Sequence, residues 1–307
     1  MADNFHYAFG QISGLRFDQS SCIALRWEAD EPFGLETGES HVYEKVGKGA
    51  HTELPTPGRF AGIWRGASGE VHVAQEGGVL YSRMSPDAPW SRQVVGGALA
   101  GVWGLDGSGL VYAWGFAPGG KDAQVFLRDA SGRWSPIAIP DEIILEMHGV
   151  RPELIVAVGL RGSIFFLENR RWRRVASPVS AALASVFVVS DDEMYACGSD
   201  SRYLLEGSIY RWTRRGPFDE RLYRVAKHRD TLWVGCGVSG LHRLAPGEVE
   251  LERLRLSISV SHMDAREDLL VSGRDGFAGT SNGNQFQVQS LDSYERLSGI
   301  HPPSWVP

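Results

Sequence analysis

The chain has 307 residues and a formal net charge of -6, which argues against a surface that binds nucleic acid non-specifically, because such a surface needs an excess of Lys and Arg. No apolar run approaches the roughly 18 residues of a membrane span, and Asp3 stands where a signal peptide carries positive charge. We therefore expect a cytoplasmic protein that is not held in a membrane. The cysteines, Cys22, Cys197 and Cys236, form no Cys-x-x-Cys pair, which favours a reducing compartment and small buried thiols.

The N-terminal part of the chain contains two apolar runs with strand character. Residues 21–25 and 41–45 predict a second and a third strand of one sheet, and residues 28–39 predict an enlarged acidic loop between them. Residues 5–9 or the tail 291–307 are expected to close the fold by pairing with the far end of the chain, because open sheet edges need protection.

From residue 60 onward the chain repeats a strand–turn–strand pattern about every forty residues. The runs that align best are expected as second strands: 71–74, 111–114, 155–158, 194–197, 232–235 and 269–272. First strands are expected at 61–64, 100–103, 145–148, 185–188, 223–226 and 260–263. Third strands are expected at 78–81, 124–127, 162–165, 207–210, 240–243 and 276–279. Trp90, Trp134 and Trp172 open fourth strands and are expected to pack between neighbouring repeats.

A β repeat of this length predicts an all-β fold, a β-propeller of four-stranded blades. Counting the N-terminal runs as a weak copy favours seven blades, and leaving them out gives six. The blades are expected in one domain, 1–307, roughly at 7–55, 56–96, 97–140, 141–178, 179–219, 220–255 and 256–290, followed by a C-terminal tail at 291–307.

One repeat carries a resemblance to a broad class of proteins. Its segments are Val-Trp-Gly at 102–104, Val-Tyr-Ala-Trp-Gly at 111–115 and Asp-Ala-Ser-Gly-Arg-Trp at 129–134. Across residues 59–290 the chain resembles bacterial β-propeller repeat proteins, but not the WD-repeat subclass, because no Gly-His…Trp-Asp pair recurs. The resemblance implies the fold and leaves function open, since propellers serve as binding scaffolds, lectins, lyases and hydrolases.

Two glycine-rich segments come close to nucleotide-binding motifs. Residues 115–122 nearly match a P-loop but end on Asp122, where a magnesium-binding hydroxyl is needed. Residues 235–240 fit Gly-x-Gly-x-x-Gly but leave no room for the helix that must follow. Both segments are interpreted as turns between strands, and the sequence assigns no cofactor, no metal and no catalytic residue.

Two histidines fall in expected first strands, which line the central channel of a propeller. His148 and His262 could therefore converge on a metal ion or a substrate in the channel. The alternative, which we favour, is that each is a separate hydrogen-bonded or solvent-facing side chain.

Arginines surround tryptophans at two places that are one repeat apart. The first group is Arg171, Trp172, Arg173 and Arg174, preceded by Arg170. The second group is Arg211, Trp212 and Arg214, followed by Arg215. They could form one patch on the rim of adjacent blades, which would suit a protein partner or a phosphate-bearing one. The alternative, which we favour, is an exposed strand edge protected by charge.

These observations favour a non-enzymatic module that binds another protein through one rim or face, for example an immunity-type inhibitor that occludes a bacterial toxin. A second hypothesis is a lyase or hydrolase that acts on a sugar or lactone at a channel mouth, with His148, His262 and Asp264 as acid, base or metal ligand. A third is a lectin that stacks sugars on exposed tryptophans. The oligomeric state stays open.

Overall fold

The computed structural model describes residues 5–28, 38–120, 122–137, 142–198, 201–254 and 256–290. These residues form seven four-stranded antiparallel sheets, and each sheet is built from four strands that are consecutive in the chain. The all-β fold and the seven-bladed propeller are therefore confirmed, and the six-bladed alternative is wrong because residues 5–57 form a complete blade.

The first three blades contain the following strands. Blade 1 consists of β1 (Phe5–Arg16), β2 (Gln19–Glu28), β3 (Glu39–Val46) and β4 (Gly49–Pro57). Blade 2 consists of β5 (Phe60–Arg65), β6 (Val71–Gln75), β7 (Val79–Arg83) and β8 (Ser91–Val94). Blade 3 consists of β9 (Ala98–Leu105), β10 (Leu110–Phe116), β11 (Ala123–Arg128) and β12 (Trp134–Pro136).

The other four blades follow the same order. Blade 4 consists of β13 (Ile144–Arg151), β14 (Leu154–Gly159), β15 (Ile164–Glu168) and β16 (Arg171–Val175), with a single 3₁₀ turn at Leu160–Gly162. Blade 5 consists of β17 (Ser185–Val188), β18 (Met194–Cys197), β19 (Leu204–Gly207) and β20 (Trp212–Arg215). Blade 6 consists of β21 (Arg224–His228), β22 (Thr231–Gly235), β23 (Leu241–Leu244) and β24 (Glu252–Arg253). Blade 7 consists of β25 (His262–Ala265), β26 (Leu269–Gly273), β27 (Gly276–Thr280) and β28 (Gln287–Ser290).

Second strands are apolar on both faces because each blade is sandwiched between two others. All residues of β14 are buried, whereas the outer strand of the same blade, β16, is mostly exposed. The apolar cores lie between the blades. The seam between blades 4 and 5, for example, buries Val158, Ile164, Val186 and Trp212 together. Burial of this kind stabilises by about 25 cal/mol for each Å² of apolar surface removed from water.

The fourth-strand tryptophans pack in these seams, as expected. Trp90 packs in the core shared by blades 1 and 2, Trp134 in that of blades 2 and 3, and Trp172 in that of blades 3 and 4. Because their rings pack between blades, these tryptophans do not form the row of exposed aromatic rings on which a lectin would stack sugars.

The ring closes between blade 1 and blade 7. The backbone N–H of Phe9 donates to the carbonyl oxygen of Arg274 at 3.1 Å. The Ser272 hydroxyl donates to the carbonyl oxygen of Gly10 at 2.7 Å. Residues 5–9 thus contact the far end of the chain through Phe9, but as a strand they belong to β1 and pair with β2 rather than with a strand of blade 7. Blade-to-blade packing closes the ring instead. The tail 291–307 lies outside the described residues.

One expected strand is misplaced. Residues 207–210 do not form the third strand of blade 5, because that strand is β19 (Leu204–Gly207) and residues 208–211 form the turn that follows. A Cβ atom on Gly207 would lie 2.2 Å from the Trp212 ring, so the glycine is required by the hairpin rather than by the start of a strand.

The acidic loop expected at 28–39 falls largely on residues 29–37, which lie outside the described residues. Within the described ranges, no helix is long and apolar enough to cross a membrane.

Candidate functional site: the channel and the outer strands of blades 4 and 5

The central channel is lined by first strands, as the sequence predicts, and contains two cavities. We call its two ends the wide mouth and the narrow end. The wide mouth encloses about 750 Å³ and is bordered by the starting residues of first strands, such as Ala61, Ala98 and His262. The narrow end encloses about 250 Å³ and is bordered by their final residues, such as Leu105, Val150 and Arg266.

An ion network spans the narrow end. The Arg266 guanidinium donates to Asp264 at 2.6 Å, to the Ser13 hydroxyl at 2.8 Å and to Asp106 at 3.0 Å. The backbone N–H of Gly14 also donates to Asp264, at 3.1 Å. Burial alone would raise the pKa of Asp264, but Arg266 and these hydrogen bonds hold it below its usual range. The network ties blades 7, 1 and 3 together across the channel.

A second charged pair, Glu146 on β13 and Arg224 on β21, is incompletely paired. The Arg224 side chain donates to the carbonyl oxygen of Ala184 at 2.8 Å, and its Nε lies 3.9 Å from Glu146 Oε2. Among the described residues neither of those two atoms has a hydrogen-bond partner. Burial raises the pKa of Glu146 to about 7, with Arg224 opposing the shift and Asp264 adding to it. Burial, with Arg224, lowers the pKa of His262 to about 3.

The two channel histidines do not share a cavity. His148 lines the narrow end, where its Nδ1 accepts a hydrogen bond from the Val188 backbone N–H at 3.0 Å. Its ring packs on Phe187 at 4.5 Å between centroids and on Trp103 at 5.7 Å. His262 lines the wide mouth. Burial lowers the pKa of His148 to about 4, so the ring is neutral at pH 7 and its Nδ1 can serve as the acceptor.

One cluster of possible metal ligands is found in the described part of the chain, away from the channel, and the sequence did not reveal it. Glu44, His51 and Glu53 bring their ligand atoms within 4.8 Å of one another. Both glutamates already bind arginines of blade 2, however. Arg65 donates to Glu44 at 2.8 Å, Arg83 donates to it at 2.6 Å, and Arg83 also bonds Glu53. The group is therefore a buried ion network that joins blades 1 and 2.

The arginines predicted on the rim lie on the outermost strands β16 and β20, which belong to adjacent blades. The exposed ones are Arg170, Arg171, Arg173, Arg174, Arg211 and Arg214. The tryptophans between them are not exposed in the same way: Trp212 is buried with 6% of its surface accessible, and Trp172 is half-buried. The arginine side chains thus lie at the surface, whereas the indole rings pack between the blades.

Strand alternation divides these arginines between three inter-blade grooves. The Arg173 guanidinium lies 5.2 Å from the centre of the Phe166 ring, which belongs to the seam between blades 4 and 5. Arg174 lies 5.8 Å from Phe165, on the side of blade 3. Arg211 lines a cavity of about 460 Å³ on the far side of blade 5. The sequence did not indicate which groove each arginine borders, because that depends on how neighbouring blades pack.

The comparisons with known proteins give a fold and one relative. No family model matches the chain. It is 27% identical over 190 residues to the immune protein Tsi7 of Pseudomonas aeruginosa, and the match covers 58% of this chain and 58% of Tsi7. The chain therefore spans little more than half the length of that relative.

Solved structures with the same fold share little sequence with it. The WD40 propeller domain of Doa1 superimposes with a TM-score of 0.66 at 10% identity, covering 92% of this chain and 93% of that one. YCF48 bound to a D1 peptide superimposes with a TM-score of 0.63 at 12% sequence identity, covering 89% of this chain and 95% of that one. Virginiamycin B lyase from Staphylococcus aureus superimposes with a TM-score of 0.63 at 13% sequence identity, covering 76% of this chain and 84% of that one. These likenesses establish a β-propeller and no activity.

Proposed function

We propose that this chain is an immunity-type inhibitor, a non-enzymatic propeller that binds another protein and blocks it. The observation that carries the proposal is the 27% identity to the immune protein Tsi7 over 190 residues. The sequence favoured the same kind of protein because it offers no catalytic constellation, many loops and a small, acidic, single-domain chain. Because the match covers 58% of each chain, the growth-protection experiment below is the test of this role.

The fold suits such a role. A propeller offers a rigid frame with large exposed rims, and YCF48, which shares the fold, has been solved with a D1 peptide bound. In this chain two acids of the narrow end are engaged, since Asp264 and Asp106 both bind Arg266. That mutual pairing supports a structural role for the narrow end. The three cysteines are free and buried, which supports placing the protein in the reducing cytoplasm.

Growth protection in a bacterial host tests the proposal. The product of the reading frame adjacent to this gene is expressed from an inducible promoter, with and without this chain. We expect that product to arrest growth alone, and this chain to restore growth and to co-purify with it at a defined ratio. A neighbouring product that is toxic, but neither bound nor neutralised by this chain, contradicts the proposal. A non-toxic neighbour contradicts the immunity role as well.

A second candidate function is a channel-mouth lyase or hydrolase, and one observation favours it. Glu146 faces the channel with a pKa near 7 and one carboxylate oxygen that has no hydrogen-bond partner among the described residues, which suits a general acid or base. A screen with sugar and lactone substrates tests it. Turnover that disappears in Glu146→Gln while the fold is retained would favour the enzyme over the inhibitor.

A further inference from the structure

The outer hairpins of blades 4 and 5 concentrate positive charge in an acidic protein. Residues 168–175 and 206–215 contain seven arginines and two glutamates, although the whole chain carries a net charge of -6. Both glutamates are already paired, Glu168 with Arg173 at 2.7 Å and Glu206 with Arg215 at 2.9 Å. The two segments therefore keep a strong positive excess at the surface.

Three of these arginines border one groove, which we call the 4–5 groove and define by Arg171, Arg173 and Arg214. Arg171 and Arg173 lie on the side of β16 that faces blade 5, because alternate residues of a strand share a side and Arg173 packs over Phe166 of the seam. Arg214 lies on the same side of β20 as Trp212, which is buried in that seam, and so faces blade 4.

Of the three charges of this groove, that of Arg173 is paired with Glu168, whereas those of Arg171 and Arg214 are not neutralised from within. In the part of the chain that the structure describes, no carboxylate forms an ion pair with Arg171 or Arg214. The Arg214 guanidinium lies 5.0 Å from the centre of the Tyr203 ring, which holds the side chain in place without cancelling its charge. A cation held in this way loses little conformational entropy when it binds an anionic group.

An exposed aromatic residue lies at the end of the same hairpin. Tyr210, in the turn before β20, has 81% of its surface accessible. Its turn is anchored by the backbone N–H of Ile209, which donates to the Asp191 carbonyl oxygen at 2.9 Å. Tyrosine and arginine are the residues that most often contribute large binding energies at protein interfaces. The tyrosine thus favours a protein over a nucleic acid as the occupant.

The groove has acidic neighbours. On the other side of blade 5, the cavity next to Arg211 is lined by Asp192, Glu193 and Glu206. A long nucleic-acid backbone would extend beyond the three arginines toward this acidic side of blade 5, where no described residue forms an ion pair with Asp192, whereas a short acidic segment of a protein needs to contact only the arginines. Charge complementarity therefore selects an occupant that is both anionic and compact.

We propose, on the basis of the function proposed above, that the 4–5 groove with Tyr210 is the docking surface for an acidic segment of the partner protein. The arginines bind its carboxylates and Tyr210 packs against its apolar atoms. Exposed charge pairs are screened by salt, so this contact should weaken as the ionic strength rises.

The direct test uses a fluorescein-labelled peptide of alternating Asp and Glu, with an Asn/Gln peptide and a short DNA duplex as comparison probes. Binding is followed by fluorescence anisotropy at low and at physiological ionic strength. Arg171→Glu/Arg214→Glu should weaken acidic-peptide binding by about tenfold or more, a loss of about 1.4 kcal/mol or more. The control Arg92→Glu/Arg133→Glu makes the same change in net charge on blades 2 and 3, at exposed arginines, and should have little effect.

The outcomes separate this inference from the proposed function. Equal binding by the two double variants, or tighter binding of the DNA than of the acidic peptide, overturns the groove assignment. Neither result bears on growth protection. If the neighbouring product is neutralised by the wild type, Arg171→Glu/Arg214→Glu and Tyr210→Ala should each reduce its binding at an unchanged melting temperature. Full protection by both variants would refute the docking surface and leave the inhibitor role intact.

Discussion

The Glu44 carboxylate holds two arginines in the seam between blades 1 and 2, where water is largely excluded. Arg65 and Arg83 donate to its two oxygens at 2.8 and 2.6 Å, and the exposed fractions are 1% for the Glu44 side chain, 7% for Arg65 and 1% for Arg83. Glu44→Gln keeps the shape of the side chain and removes its charge. Both guanidinium groups then stay buried beside the uncharged amide of the substituted side chain. The NH2 group of that amide cannot accept a hydrogen bond from the arginine that it faces.

The cost follows from that burial. Breaking a buried ion pair by removing one partner destabilises a protein by about 3–5 kcal/mol, because the remaining charge is left uncompensated. Arg83 keeps a second carboxylate, that of Glu53, whose side chain is 26% exposed. Among the described residues Arg65 forms no second ion pair, and burial already lowers its pKa while Glu44 opposes that shift. We therefore expect a loss near the lower end of the range, about 3 kcal/mol.

Urea unfolding followed by tryptophan fluorescence measures this loss as a shift of the midpoint at constant m-value. The matched control is Glu252→Gln, since Glu252 lies on the exposed outermost strand of blade 6, where it bonds Arg243 of the neighbouring strand at 2.7 Å. Exposed pairs contribute about 0–1 kcal/mol, so the control should change little. If Glu44→Gln costs no more than Glu252→Gln, the buried network does not stabilise the seam and the reasoning is refuted.

Three further predictions concern the channel, a hairpin and the thiols. Because the pKa of Glu146 is raised to about 7, the folded protein binds more protons than the unfolded chain between about pH 4.5 and 7. The free energy of unfolding should therefore fall as pH rises through that window. Glu146→Gln should flatten this part of the stability–pH curve, and an unchanged slope would contradict the raised pKa. Gly207→Ala should destabilise by about 1–3 kcal/mol, since the new methyl would meet the Trp212 ring, whereas Gly77→Ala, with no atom within 4 Å of its added carbon, should be nearly neutral in the same urea titration. Burial raises the pKa of the Cys236 thiol to about 12 and the other two cysteines are also buried, so a thiol reagent at pH 8 should label none of them until the protein unfolds; rapid labelling of the native protein would show that this packing is wrong.

The strand positions followed from local patterns. Each second strand, such as β14 (Leu154–Gly159) and β22 (Thr231–Gly235), is a short apolar run between turn residues, and such runs are visible in one sequence. The weak N-terminal copy was recognised from its spacing alone and forms a full blade. The error at 207–210 arose because Gly207 was interpreted as a strand start, whereas it makes room for a tryptophan five residues later in the chain.

The candidate site could be predicted only in part, because its contacts are not local. The sequence located His148 and His262 in channel-lining strands, but their separation into two cavities depends on where each residue falls along its strand. Glu146 was missed altogether. Its neighbour Arg224 is in another blade, and the burial that raises its pKa has no signature in the surrounding residues.

The repeat period, the strand order within each blade and the exposed arginines were determined by the sequence itself, since periodicity and turn chemistry act over a few residues. Only the tertiary structure decided which charges meet. Arg266 binds Asp106 across 160 residues of sequence, and Glu44 binds Arg65 and Arg83 of the next blade. The physical reason is that a closed ring brings distant segments together around one axis, and whether a charge is paired, buried or left open to a partner depends on that closure.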